Sequence, residues 1–256
     1  MDLGIKGKTA LVTASSGGMG KNIAHALAAE GANIVLFARS EDKLAAVAQE
    51  LRTEYDVQAL AIAGDMRAPD SIESLFRGVT QEFGTLDIAV LNSGRPPTPL
   101  RATVDETDPQ RWDEAYQTQL VATIQVAQRA HQLMTNGGRI IAITSASVLH
   151  PMPHHALSTV FRAGITAYLK HLANEIGARG ITVNCIAPAL IETPHRSGGA
   201  AYTPEQMEAR KKMNVLGRMG TQDELCATVA FLASAHAGFI TGSTVRVDGG
   251  MAGNLF

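Results

Sequence analysis

Short apolar runs alternate along the whole chain with longer segments in which apolar residues recur every three or four positions. The first pattern is that of a strand covered on both faces, the second that of a helix lying on a sheet. Strands are predicted over residues 9–13, 33–37, 57–63, 86–91, 139–144, 181–187 and 244–247. Helices are predicted over 22–30, 41–54, 69–83, 109–134, 156–179, 204–213 and 223–234. Gly31 closes the first helix, Pro69 occupies a first turn, and Gly137-Gly138 stops the long helix before the fifth strand. Strand–helix–strand crossovers are right-handed, so the alternation implies a doubly wound α/β fold, a parallel sheet of Rossmann type with helices on both faces. One domain over 1–256 is expected. The irregular, Gly- and Pro-containing stretch from 188 to 202 follows a strand's carboxyl end, where open α/β sheets bind ligands, and opens a lid segment of about 188–215.

Bulk properties narrow the partners. A formal net charge of -2 over 256 residues gives no footprint for nucleic acid or a membrane surface. No basic and apolar leader stands at the N-terminus, and no run is apolar enough to span a bilayer, so the protein is expected in the cytoplasm, acting on a small molecule. Cys185 and Cys226 lie far apart, without metal or redox spacing, and read as buried small hydrophobes. No metal site is expected.

The candidate chemistry begins where the first strand runs into Thr13-Ala14-Ser15-Ser16-Gly17-Gly18-Met19-Gly20 and then a helix. Glycines allow close approach of backbone to a pyrophosphate, and a helix N-terminus offers amide donors and a positive dipole. Ser15, Ser16, Gly18, Met19 and Gly20 are the candidates. The alternative is a tight structural turn. At the end of the second strand an acidic residue would favour NAD, but the chain has Ala38-Arg39-Ser40. Arg39 and Ser40 are donors suited to a 2′-phosphate, which favours NADP over NAD; a solvated surface arginine is the competing reading. Asp65-Met66 is placed to cap an adenine amino group, and Asn92-Ser93-Gly94 to lie beside the coenzyme, unless either is a loop or helix cap.

With these residues the chain resembles the short-chain dehydrogenase/reductase family, and within it the 3-oxoacyl-carrier-protein reductases and sugar or alcohol dehydrogenases. The resemblance covers the Gly-rich turn, with Ala14 at the usual first glycine, and Asp65, Asn92-Ser93-Gly94 and Trp112-Asp113. It continues through Gly180-Ile181-Thr182-Val183-Asn184, the stretch from Pro188 to Thr193, and Val247-Asp248-Gly249-Gly250. It implies a nicotinamide coenzyme with Pro188 and Ile191 beside it, and a homo-oligomer, tetramer or dimer.

The family's usual catalytic set is Asn, Ser, and Tyr followed four residues later by Lys. Here the flanking motifs bring Ser145 onto the Ser, Ser158 onto the Tyr, Arg162 onto the Lys and Gln119 onto the Asn. None of Tyr55, Tyr116, Tyr168 and Tyr202 has Lys four residues on. A Ser hydroxyl does not titrate near neutrality and a guanidinium does not release its proton, so neither inherits the usual role. Arg162 is suited to a ribose hydroxyl, a substrate carboxylate or an oxyanion. Three readings follow: an oxidoreductase whose proton comes from water or from His150, His154 or His155; a lyase, dehydratase or hydrolase on the same scaffold; or a catalytically silent NADP-binding protein. The three histidines also fit an exposed loop. Arg95, on the Pro-rich stretch after Gly94, reads first as a surface-loop arginine and second as a contact for an anionic substrate, and the same two readings apply to His195 and Arg196 in the lid.

Overall fold

A computed structural model describes residues 1–135, 137–192 and 203–253. His195, Arg196, Tyr202, the middle of the expected lid and the apolar ending at Leu255-Phe256 lie outside the described residues. Seven parallel strands form one sheet: β1 (Thr9–Thr13), β2 (Asn33–Ala38), β3 (Ala59–Ala63), β4 (Ile88–Leu91), β5 (Arg139–Ile143), β6 (Thr182–Pro188) and β7 (Thr244–Val247). Their spatial order is β3-β2-β1-β4-β5-β6-β7. The order reverses at β1, which pairs on one side with β2 (Thr13↔Phe37) and on the other with β4 (Val12↔Val90). At that reversal the crossovers leave on opposite faces, and a crevice opens beyond the strands' carboxyl ends.

Helices α1 (Gly18–Ala29), α2 (Glu41–Tyr55) and α8 (Gln222–Ala233) bury Ile23, Leu27, Leu44, Leu51 and Leu225 on one face of the sheet. Helices α3 (Pro69–Phe83), α5 (Ala122–Leu133) and α6 (Ala156–Ile176) bury Leu75, Phe76, Val126, Ile165 and Leu169 on the other. The central strands are sealed on both sides, as their unbroken apolar runs require: β1 is buried at all five positions. Cys185 and Cys226 are free and buried, and burial pushes both thiols up to about 12, so they behave as the small hydrophobes expected. Among the described residues no helix is long and apolar enough to cross a membrane.

Two predicted helices differ from the structure. The first begins at Gly18, not residue 22, because the Gly-rich turn is itself the helix's opening turn: Gly18 takes φ +55°, open to glycine without strain. The expected single helix over 109–134 is α4 (Pro109–Ala115), a π-helical turn over Tyr116–Val121, and then α5. One wide turn inside a regular helix marks a place where side-chain packing overrides the 3.6-residue repeat, often at a functional site. Gln119 lies in it. The remaining helix, α7 (Pro204–Lys211), starts in a capping box between Thr203 and Gln206.

Candidate active site

The crevice is built first from backbone. Asp108, Thr203 and Thr221 cap α4, α7 and α8 with side-chain oxygens; α1, like α2, α3 and α6, has no side-chain cap, and no acidic residue stands in its first turn. Its leading amides are therefore left for an anion. A Cβ on Gly17 or Gly18 would meet nothing within 4 Å, so the space beside this turn is open. Gly20 serves a different purpose. A Cβ there would overlap the Ala14 carbonyl oxygen and come within 2.9 Å of Ala14 C and Ser15 Cα. Only glycine lets α1 start this close to β1. Ala14 itself takes φ +50°, a left-handed conformation that L side chains rarely adopt.

What holds Ala14 there is a clamp at the switch point. The Thr13 hydroxyl donates to the Asn92 carbonyl at 2.7 Å and accepts from the Asn92 N–H at 3.0 Å, tying the end of β1 to the end of β4. Asn92 Nδ2 donates to the Ala14 carbonyl at 3.5 Å. Asn92 thus supports the turn from behind. Thr13 is fully buried, so Thr13→Val leaves the Asn92 N–H and C=O without this partner in the interior. The expected cost is about 1–3 kcal/mol, visible as a lower urea midpoint at unchanged slope, with weaker coenzyme binding.

Ser15, expected at the coenzyme, has its side chain committed to the neighbouring strand. It is fully buried, its hydroxyl accepts from the Phe37 N–H at 3.0 Å, and its own N–H donates to the Phe37 carbonyl. That pins the turn to β2 and takes its side chain out of the crevice. Met19 and Met66 pack partly into the two core clusters, which leaves their backbone as what they can offer a ligand. Ser16, Ser93 and Gly94 keep partial exposure at the mouth. Pro188 is buried at the end of β6, and Ile191 bridges to Gly220 beside it.

Arg39 is exposed at the end of β2, next to Ser40. The pairing of Ala38 with Ala63, and the Gly64 N–H donated to the Ala38 carbonyl, bring it beside the turn after β3. There the Asp65 carboxylate is gripped by Arg67, from Nε at 3.1 Å to both oxygens, from Nη2 at 2.7 Å and from the backbone N–H at 2.9 Å. Arg67, with Arg39 further off, holds the Asp65 carboxyl below the usual carboxylate range. Arg67 was missed by the sequence reasoning; an acid and an arginine two residues apart after a strand was the available signal.

The four positions aligned with the family's catalytic set lie around the ends of β5 and α6. Arg162 Nε donates to Gln119 Oε1 at 3.1 Å, and Nη1 donates to the Ile143 and Thr144 carbonyls, both at 2.7 Å. Those carbonyls immediately precede Ser145, whose hydroxyl accepts from the Ser147 N–H and starts a short 3-10 turn. Burial lowers the Arg162 guanidinium to about 10, which still leaves it charged at neutral pH. Ser158, one helical turn earlier, is 6% exposed. Arg162 and Gln119 are therefore brought together directly, with Ser145 beside them; among the described residues Ser158 makes no side-chain hydrogen bond to either. His150 and His154 are exposed, and His155 Nδ1–H donates to the Pro153 carbonyl at 2.7 Å, which leaves Nε2 as the acceptor nitrogen of the neutral ring.

The Pro-rich stretch after Gly94 is anchored by a buried pair that the sequence reasoning did not find. Arg111 donates to Glu106 at 2.6 and 2.9 Å and to the Pro99 carbonyl at 2.8 Å. Trp112 Nε1–H donates to the Glu106 carbonyl, and its ring meets Phe161 of α6 edge-on at 5.9 Å. Arg95 stays exposed on that stretch. Among the described residues no group of three or more His, Cys, Asp or Glu side chains could hold a metal ion.

A family model described as enoyl-(acyl carrier protein) reductase matches residues 13–252. The chain is 34% identical over 247 residues to the 3-oxoacyl-[acyl-carrier-protein] reductase of Staphylococcus aureus, covering 95% of this chain and 98% of that one. The chain belongs to the short-chain dehydrogenase/reductase family. Its structure is similar to L-sorbose reductase from Gluconobacter frateurii, solved with NADPH and L-sorbose, at a TM-score of 0.92, 32% identity and full coverage of both chains. A short-chain dehydrogenase/reductase from Serratia marcescens matches at a TM-score of 0.88 and 31% identity, over 97% of this chain and 99% of that one. The family accounts for the sheet order and the Gly-rich turn, and makes the chain an oxidoreductase by descent.

Proposed function

We propose that the chain is an NADP-dependent oxidoreductase acting on a carbonyl or hydroxyl substrate through an atypical catalytic set. The observation that carries the reading is the uncapped, acid-free start of α1, facing open space at the switch point of the sheet. Relatives named for reducing 3-oxoacyl groups and L-sorbose support a carbonyl substrate, and the NADPH with the sorbose reductase supports NADP. Bound there, the coenzyme supplies or accepts a hydride; the rest falls to the chain.

The amides of Gly18, Met19 and Gly20 hold the pyrophosphate, Arg39 and Ser40 the 2′-phosphate, and Asp65 the adenine edge, with Pro188 and Ile191 closing the nicotinamide end. Ser145 and Ser158 orient the substrate oxygen. Arg162, fixed by three hydrogen bonds, places a permanent positive charge beside that oxygen and stabilises negative charge developing on it. It cannot pass a proton on. The proton comes from water or from a histidine just ahead of α6, imidazole being the side chain suited to exchange near neutral pH. A homo-oligomer belongs to the same reading, as does a lid over 188–215.

The test is absorbance at the reduced-nicotinamide band against a panel of ketones, oxo acids and alcohols. A change with any of them upholds the reading. Product without that change points to a lyase, dehydratase or hydrolase. The second reading, a catalytically silent NADP-binding protein, is favoured by one observation: Arg162 has Nε and Nη1 committed to protein acceptors. NADP binding without product in any assay would select it. For the coenzyme, Arg39→Ala should weaken NADP by about tenfold to a hundredfold, the worth of a charge-assisted hydrogen bond, and leave NAD unchanged. Thermal-shift titration with both coenzymes reads this, and equal stabilisation of wild type by both would remove the 2′-phosphate pocket.

A further inference from the structure

The guanidinium of Arg162 is charged and partly buried, and its acceptors among the described residues are neutral. Its partners are two backbone carbonyls and one amide oxygen. No ion pair involves it among the described residues, and burial lowers its hold on the proton. Its remaining nitrogen, Nη2, donates to none of the described residues, while the side chain keeps partial exposure. A partly buried cation without a counter-charge carries a desolvation cost, and the cost falls when an anion arrives.

Gln119 adds a second, independent sign. It is 1% exposed, and its Oε1 must face Arg162, because a guanidinium only donates. That leaves Nε2 as a buried N–H donor without a partner. Buried amides are satisfied in native proteins with few exceptions, so the corner next to Arg162 lacks an acceptor. Gln119 Nε2 is short of an acceptor, and Arg162 Nη2 beside it has no protein acceptor and no negative charge among the described residues.

A ketone or alcohol oxygen supplies one acceptor and no charge. A carboxylate supplies both, one oxygen accepting a charge-assisted hydrogen bond from Arg162 Nη2, the nitrogen left after Nε and Nη1 are committed to the protein. We infer that the substrate is an oxo acid or its hydroxy-acid counterpart, whose carboxylate sits on Arg162 Nη2 and reaches Gln119 Nε2 directly or through one bound water. This rests on the oxidoreductase reading above and names its substrate class. It also sets the protein apart from relatives named for acyl-carrier-protein thioesters, in which that end of the substrate is neutral.

Two comparisons test it. In turnover with NADPH, 2-oxobutanoate is set against its methyl ester, and acetoacetate against methyl acetoacetate. The acid should exceed the ester in kcat/KM by about a hundredfold in at least one pair, the discrimination expected when a buried charged donor is left unpaired. Arg162→Met should bring that ratio towards one, whatever happens to the absolute rates. In binding, the NADPH-loaded protein is melted with lactate or lactamide, neither of which NADPH can reduce further. Lactate should raise Tm and lactamide should not, and Arg162→Met should abolish the difference. An acid-to-ester ratio near one in both pairs, or equal shifts with lactate and lactamide, would overturn the carboxylate assignment. Absence of turnover with every compound would count against the oxidoreductase reading alone, because the melting comparison needs no reaction. Should Arg162→Met not fold, the wild-type comparisons still decide.

Discussion

Gly20→Ala is expected to destabilise the protein by about 3 kcal/mol, the upper end for forcing atoms into filled space, and to abolish the Tm increase given by NADP. The methyl group would collide with the backbone of Ala14 and Ser15, which has no rotamer with which to yield. Either α1 moves away from β1 or the turn changes shape, and both displace the amides that face the phosphates. For a chain of this length the loss corresponds to a fall in Tm of roughly 6–12 °C. The neighbouring Gly17 supplies the control: its Cβ would meet nothing within 4 Å, and its φ of 175° is open to any residue. Gly17→Ala should leave the apoprotein's Tm within about 1 °C of wild type. A Gly20→Ala protein that melts normally and binds NADP normally would refute the close-approach argument.

The second large effect is a gain. Ser158→Tyr combined with Arg162→Lys installs the phenol and ammonium that the family places one helical turn apart. If the scaffold is otherwise intact, NADPH-dependent reduction of neutral ketones should rise by about a hundredfold or more, the usual contribution of a positioned general acid. The phenol supplies a proton that neither Ser158 nor Arg162 can give, and the ammonium eases its release. Ser158 is 6% exposed, so the new ring needs room, and a melting curve with and without NADPH must accompany the assay. A double variant that folds, retains NADPH and shows no added rate would mean that the departure from the family lies deeper than these two side chains. The same variant should show a smaller preference for oxo acids over their esters, since the ammonium keeps the charge but loses the planar set of donors.

The pattern of residues along the chain determined the strands, most of the helices and the crossover logic, because each depends on interactions between near neighbours. Buried parallel strands need unbroken apolar runs, and helices on a sheet need a periodic apolar stripe; both are written locally. The Gly-rich turn was legible for the same reason. Tertiary structure alone decided what the site residues touch. Thr13 and Asn92 are 79 positions apart, and Gln119 and Arg162 are 43 apart; their contacts exist because strands 1 and 4 adjoin and because the π-helical turn faces α6. The hydrogen bond from the Phe37 N–H to the Ser15 hydroxyl is likewise fixed by the neighbouring of β1 and β2. Side-chain commitments of this kind are set by which elements become neighbours, and no local pattern encodes that.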